Sequence, residues 1–276
     1  VTPLRCGGAL RWGELPRPSA AALVRLFAET AAATEAGHLH GGRADAFLRP
    51  ARLEALRSLP IFETVGSRGA PPSLVSLQQA RYLLLQPHPF FSPSGESFLS
   101  PHASRPVIEL LTRCGVLRLA DADVFERFLL PRFASASDEQ RQAQRAHILR
   151  HWQSLRQHDG VHDTLRETAF VPVGGKLLKP SEVLDPRVGV LSYIFGGEDV
   201  FPDAECATEE WLSLLAGLGM KTNVDRDAFL ECARKVEALG GAQPDGPTPD
   251  VLSRATLLTK HLVEHFAALT ADDDDG

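Results

Sequence analysis

Apolar residues recur at three- and four-residue spacing along most of this chain, and they give way to β-prone runs at only a few places. The first helical pattern runs from Ala20 to Ala36. Ser19 is placed to cap it, Leu23, Leu26 and Phe27 share one face, and Gly37 followed by Gly41-Gly42 ends it. A shorter run, Ala51–Ser58, repeats Leu53 and Leu56 at helical spacing. Pro60 then changes the register. Ile61–Val65 and Leu74–Leu77 flank a Gly/Pro-rich turn at Gly66–Ser73, which predicts a hairpin with a long loop. Tyr82–Leu85 offers a third strand, stopped by Pro87 and Pro89, and the Ser-, Pro- and His-rich stretch Pro93–Pro106 predicts an irregular loop.

The helical period returns near Ser104, with Pro106 tolerated in the first turn, and lasts to Cys114 before Gly115. Asp121 or Asp123 caps a short helix carrying Val124, Phe125, Phe128 and Leu129, and Pro131 closes it. Ser137-Asp138-Glu139-Gln140 has capping-box spacing and opens a long polar helix to about His158, with Ala146, Ile148, Leu149, Trp152 and Leu155 as its stripe. After a short helix at His162–Glu167, Ala169–Val173 and Lys176–Leu178 flank Gly174-Gly175, a strong two-residue hairpin signal. Pro180 and Ser181 launch one turn to Leu184, and Asp185-Pro186 begins a connector. Thr208 caps Glu209–Ala216 and Asp225 caps a helix through Leu239. Gly240–Pro249 is a linker, Asp250–Leu269 a final helix, and Asp272–Asp275 an acidic tail.

The expected fold class is therefore α+β, mostly helical with two small antiparallel β-hairpins. Residues 1–48 form a helical lead-in, 49–240 a module divisible at 136/137, and 241–276 the linker, C-terminal helix and tail. Leu56–Val65 and Leu165–Val173 each place a leucine-bearing helix end before an extended run, a faint internal echo short of a repeat. Ile61, Phe62, Val75, Phe170, Val171 and Leu177 should line the β part of the core, and Phe195, Phe201, Trp211, Leu214 and Leu215 the rest.

Charge and composition narrow the function. A net charge of −6 over 276 residues, with arginines interleaved among acids, excludes the clustered basic footprint of a nucleic-acid binder. No run reaches the roughly 18 apolar residues of a membrane span, and no signal-peptide pattern opens the chain. The chain starts on Val1 and reads as an excerpt of something longer. Four scattered cysteines, Cys6, Cys114, Cys206 and Cys232, form neither a CxxC motif nor a secretory framework, which points to reduced thiols in a cytoplasmic setting.

Candidate chemistry is sparse. His147/His151 and His261/His265 each lie four apart on helices, a spacing that can hold Zn²⁺, but neither has the Glu of HExxH or a third ligand by spacing. Val173-Gly174-Gly175-Lys176 lacks the Gly-spaced cradle and the Ser/Thr of a phosphate loop. No GxSxG elbow exists, Ser94-Gly95-Glu96 has no evident base, and no carboxylate pair stands out. No catalytic, cofactor-binding or metal residue is assigned.

Two phrases resemble the repeats of sacsin, a chaperone-associated protein whose repeats begin with an Hsp90-like ATPase fold. The first is Leu56-Arg57-Ser58-Leu59-Pro60-Ile61-Phe62-Glu63-Thr64 followed by Leu74–Leu77. The second is Phe170-Val171-Pro172, Gly175-Lys176-Leu177 and Lys179–Pro186, continuing into Phe195, Phe201-Pro202, Leu214–Met220 and Phe229–Arg234. The likeness spans Arg49–Leu239, in order and with matching separations. The Glu-x-x-x-Asn helix and Asp-x-Gly-x-Gly loop of that ATPase are missing, as is a J-domain His-Pro-Asp, so the segment is similar to the part of a repeat beyond the ATPase. The resemblance implies a non-catalytic scaffold or client-contact role in cytoplasmic protein quality control. Its partners would be protein clients or chaperone machinery, with Hsp70 and proteasome contacts carried by other parts of the parent protein. No cofactor, nucleic acid or membrane is implied. The alternatives are a generic interaction module and a metal-dependent enzyme built on one of the histidine pairs.

Overall fold

In the computed structural model, proline and short polar caps set where helices begin, and glycines at positive φ set where strands turn. The structure describes residues 15–35, 49–66, 71–101, 103–242 and 246–270. Cys6, the Gly37 stop, the Gly41-Gly42 break and the Asp272–Asp275 tail lie outside those residues, as do parts of the Gly66–Ser73 turn and of the Gly240–Pro249 linker. The chain divides into two compact units, Val1–Val124 and Phe125–Gly276. The mostly helical α+β class is what the structure shows.

In the first unit, α1 (Arg17–Glu35), α2 (Pro50–Ser58) and α3 (Arg105–Arg113) accompany a five-stranded mixed sheet. Its strands are β1 (Phe62–Gly66), β2 (Leu74–Val75), β3 (Tyr82–Leu83), β4 (Gly95–Leu99) and β5 (Leu117–Arg118), in the order β2-β1-β4-β3-β5. The expected hairpin is present, with Phe62 opposite Val75 and Glu63 opposite Leu74. It is only the edge of a larger sheet, because β1 also pairs antiparallel with β4 and β3 runs parallel to both β4 and β5. β4 lies inside the stretch expected to be an irregular loop. Phe98 and Leu99 are buried, which gives a polar segment the apolar anchor a strand needs.

The face of α1 also differs from expectation. Ala20, Val24, Ala28 and Ala31 are the buried positions and α1 packs on α3, while Leu26 is 57% exposed. Small side chains on that face let the two helix backbones approach closely. Ile61, Phe62 and Val75 join the same core, as expected. The unit ends in the short helix α4 (Asp121–Val124).

The second unit opens with a π-helical turn at Phe125–Leu129 and a 3₁₀ turn at Leu130–Ser135. The long helix α5 (Asp138–Leu155) follows behind a complete capping box, in which Gln140 N–H donates to Ser137 Oγ and Ser137 N–H to Gln140 Oε1. Its buried positions are Gln144, Arg145, Ile148 and Leu155, so the stripe is rotated from the expected one and Ala146 faces solvent. After α6 (Asp159–Glu167), β6 (Val171–Val173) and β7 (Lys176–Leu178) form the Gly174-Gly175 hairpin. Both glycines hold positive φ, 55° and 80°, as a two-residue hairpin turn with the strands' own twist requires. Helices α7 (Gly189–Ile194), α8 (Glu209–Gly217), α9 (Arg226–Gly241) and α10 (Pro249–Thr270) complete the chain.

Phe170 sits fully buried against Phe133 and Trp211, with ring centroids 6.3 and 6.4 Å away. Val171, Leu214 and Leu215 are buried as expected, whereas Leu177, Phe195 and Phe201 are only half-buried. A separate cluster, centred on Leu191, Ile194, Cys232, Val251 and Leu258, joins α7, α9 and α10.

Candidate functional site

The histidine pairs are close in space but gather no metal set. Helical i, i+4 geometry brings the His147 and His151 rings to 4.2 Å and those of His261 and His265 to 4.4 Å, centroid to centroid. Neither pair is joined by a third ligand-bearing side chain among the described residues. His147 stacks on Phe125 at 5.3 Å. His261 is held below its ordinary 6.5, first by burial and then by His265, while a hydrogen bond to the Val224 backbone pulls the other way.

A histidine–carboxylate pair that sequence reading missed lies in the first unit. His88 Nε2 meets Asp121 Oδ1 at 2.8 Å, and His88 Nδ1 accepts the Phe90 N–H at 3.2 Å. With both ring nitrogens engaged, the imidazole ties a proline-flanked loop to α4.

The thiols of the described residues are all buried. Burial pushes the thiols of Cys114 and Cys232 up to about 11 and that of Cys206 up to about 12. Gly174 N–H donates to Asp203 Oδ1 at 2.9 Å, so Val173-Gly174-Gly175-Lys176 is a hairpin turn braced by a carboxylate, where a phosphate loop would need free amides.

The polar focus of the second unit is Asp185, which the sequence marked only as the start of a connector. It is 2% exposed and accepts four hydrogen bonds from Arg187. The backbone N–H donates at 2.9 Å, Nε at 3.0 and 3.1 Å to the two carboxylate oxygens, and Nη2 at 2.7 Å. Burial pushes this carboxyl up, but the Arg187 bonds outweigh it and hold it below its ordinary 3.8. Arg187 Nη1 donates onward to Glu209 Oε1 at 2.6 Å on α8. Asp185 N–H donates to the Lys221 carbonyl and Lys221 N–H to the Val183 carbonyl, so the connector crosses the unit as a short parallel ladder. The network fixes chain path from the connector to the start of α8.

Two of the larger surface depressions among the described residues lie in this unit. One, about 910 Å³, lies between α5 and α8, with Arg145, Arg150 and Arg156 on one wall and Glu205, Glu209 and Glu210 on the other. Arg145, almost fully buried, is ion-paired to Glu205, so the opposed charges partly neutralise each other. The other is an apolar groove of about 1010 Å³ between α7 and α10, lined by Val188, Val190, Tyr193, Val224, Leu252 and Leu257 among others. Tyr193 is 45% and Leu252 52% exposed, and along the same helix Val263 and Phe266 are 74% and 59% exposed. Arg254 ties α10 to α7: it lies over the Tyr193 ring at 5.9 Å, pairs with Asp250 at 2.8 Å, and bonds the Ile194 carbonyl. Ser253, Lys260 and His261 also line the groove, whose wall is otherwise largely apolar and offers area for an apolar partner.

No family model, curated protein or solved structure matches this chain.

Proposed function

We propose that this segment is a non-catalytic scaffold that holds protein clients or chaperone machinery, in the manner its sacsin-like phrases imply, in cytoplasmic protein quality control. The observation that carries the reading is the α7–α10 groove, an apolar surface left open beside a well-packed core. A monomeric protein keeps such a surface at a cost in solubility unless something binds it. The buried thiols, the doubly engaged His88 and the buried Asp185 bound by Arg187 support a holding role over a chemical one. The hairpins of the two sacsin-like phrases, β1–β2 and β6–β7, support the kinship in turn.

The test is suppression of aggregation. At equimolar ratio and without ATP, the chain is expected to lower the light scattering of a thermally unfolding reporter enzyme. Unchanged scattering, together with tight binding to one folded protein, favours the generic interaction module instead. Saturable ATP affinity in calorimetry, or stoichiometric Zn²⁺ in the purified protein, contradicts the scaffold reading and revives the enzyme.

A further inference from the structure

We propose that the groove between α5 and α8 binds a short peptide with both ends free, its carboxylate on the arginine wall and its ammonium on the glutamate wall. The site shares no lining residue with the α7–α10 groove and does not depend on the scaffold role. Along α5 and its C-cap, Arg145, Leu149, Trp152 and Arg156 recur at steps of 4, 3 and 4, which keeps them on one face. All four line the groove, and Arg150 lines it with them. Glu205 in the turn before α8, then Glu209 and Glu210 in its first turn, make the other wall.

Arg145 is the residue that points to a ligand. It is 7% exposed, and taking a guanidinium out of water is costly unless its donors are used. Glu205 accepts from Nη2, and no described group accepts from Nε or Nη1. Neither of those nitrogens is sealed from solvent, so both remain open to an acceptor that arrives from outside. Glu205 itself is shared, since Gln142 Nε2 donates to its other oxygen at 3.4 Å. Arg145 also borders a smaller depression beside the β6–β7 hairpin. That side carries Asp138 and Glu139, whereas the α5–α8 groove adds Arg150 and Arg156, so an anion is drawn to the groove.

Beyond the Arg145–Glu205 pair the two walls do not close on each other. Glu209 is held by Arg187, which does not line the groove. Arg150, Arg156 and Glu210 are exposed and form no ion pair with a described residue. The dipole of α8 accounts for an acid in its first turn, but not for unpaired arginines on the wall across from it. A plain anion would meet Glu205 and Glu210 there, and a plain cation three guanidinium groups; a ligand bearing both charges suits both walls. The planar fork of arginine matches a carboxylate in particular. Between the charges, Leu149 and Trp152 are half-buried and offer apolar surface to side chains. From Arg145 to Arg156 the wall runs about 16 Å at 1.5 Å per residue, the length of about five extended residues at roughly 3.3 Å each. A volume of about 910 Å³ accommodates a ligand of that size.

The probe is the pentapeptide Ala-Leu-Ala-Leu-Ala, titrated into the full chain by calorimetry with both ends free, N-acetylated, C-amidated or doubly blocked. The free peptide is expected to bind saturably at 1:1. Amidation should weaken it about tenfold, through the loss of charge-assisted hydrogen bonds to the arginines. Acetylation should weaken it by up to about fivefold. Arg150→Ala with Arg156→Ala, both at exposed positions and expected to leave melting unchanged, should weaken the free peptide and leave the amidated one as it was. Glu210→Gln should weaken the free peptide and leave the acetylated one as it was. Arg145 is spared in these variants because its loss would strand Glu205 and could unfold the chain. Equal binding of free and doubly blocked peptides, or variants that weaken every form alike, overturns the proposal. So does an absence of saturable binding, or binding of inorganic phosphate alone, which leaves a plain anion site.

Discussion

Replacing Asp185 with alanine removes the acceptor of four hydrogen bonds at once from a site that is 2% exposed. A hydrogen bond to a charged group contributes about 1.5–3 kcal/mol net. Three of the four come from one rigid guanidinium, so they act as one bidentate pair plus one backbone bond. The lost carboxylate no longer has to be desolvated, which offsets part of the loss. Asp185→Ala should therefore cost about 2–4 kcal/mol, and Asp185→Asn, which keeps an acceptor but not the charge, about half of that. For a body of this size 3 kcal/mol lowers Tm by about 6–12 °C.

The pH dependence follows from the direction of the shift. A carboxyl held below its ordinary 3.8 in the folded state contributes stability that is fully present above that value. That contribution is lost as the pH falls through the lower, folded value. Urea unfolding of parent and Asp185→Asn, followed by circular dichroism, should show a gap at neutral pH that closes in strong acid. An Asp185→Ala protein within about 0.5 kcal/mol of the parent, or a gap that does not change with pH, refutes the network's role.

Three further outcomes follow from the same coordinates. Phe170→Ala empties a fully buried site between Phe133 and Trp211 and should cost about 3–5 kcal/mol in urea unfolding, whereas Phe170→Leu should cost clearly less. Gly174→Ala forces a side chain into φ +55°, where the added Cβ also meets the Asp199 carboxyl, and should lower stability by about 1–2 kcal/mol; an unchanged unfolding midpoint contradicts the turn assignment. Iodoacetamide labelling of the native protein, read by peptide mass mapping, should leave Cys114, Cys206 and Cys232 unmodified at mildly alkaline pH and reach them in denaturant. Rapid native labelling of Cys206 contradicts its burial.

Local chemistry was the legible part of this chain. The Ser137–Gln140 box, the Thr208 and Asp225 caps and the Gly174-Gly175 hairpin depend on neighbours within a few residues, and the structure has each of them. Long-range pairing was not legible. β4 lies in a Ser- and Pro-rich stretch whose strand character comes from β1 and β3, and the parallel pairing of β3 has no local signature. Helix faces went astray where small or polar residues turned inward. Ala20, Ala28 and Ala31 of α1 and Gln144 and Arg145 of α5 are buried, and apolarity alone does not mark them. The groove was hidden for a related reason. Residues 250–269 are apolar on more than one side, and only the positions of α7 and α9 decide which side remains open.

The measurement that bears most directly on the scaffold account is photo-crosslinking from single benzoylphenylalanine substitutions to a permanently unfolded client, such as a reduced and alkylated albumin. Substitutions at Leu252 and Tyr193, the two exposed apolar side chains that line the groove, should capture the client, while one at Leu230, exposed elsewhere on the same unit, should not. Capture from Leu230 alone, or none from either groove position while the chain still holds the client in solution, contradicts the account.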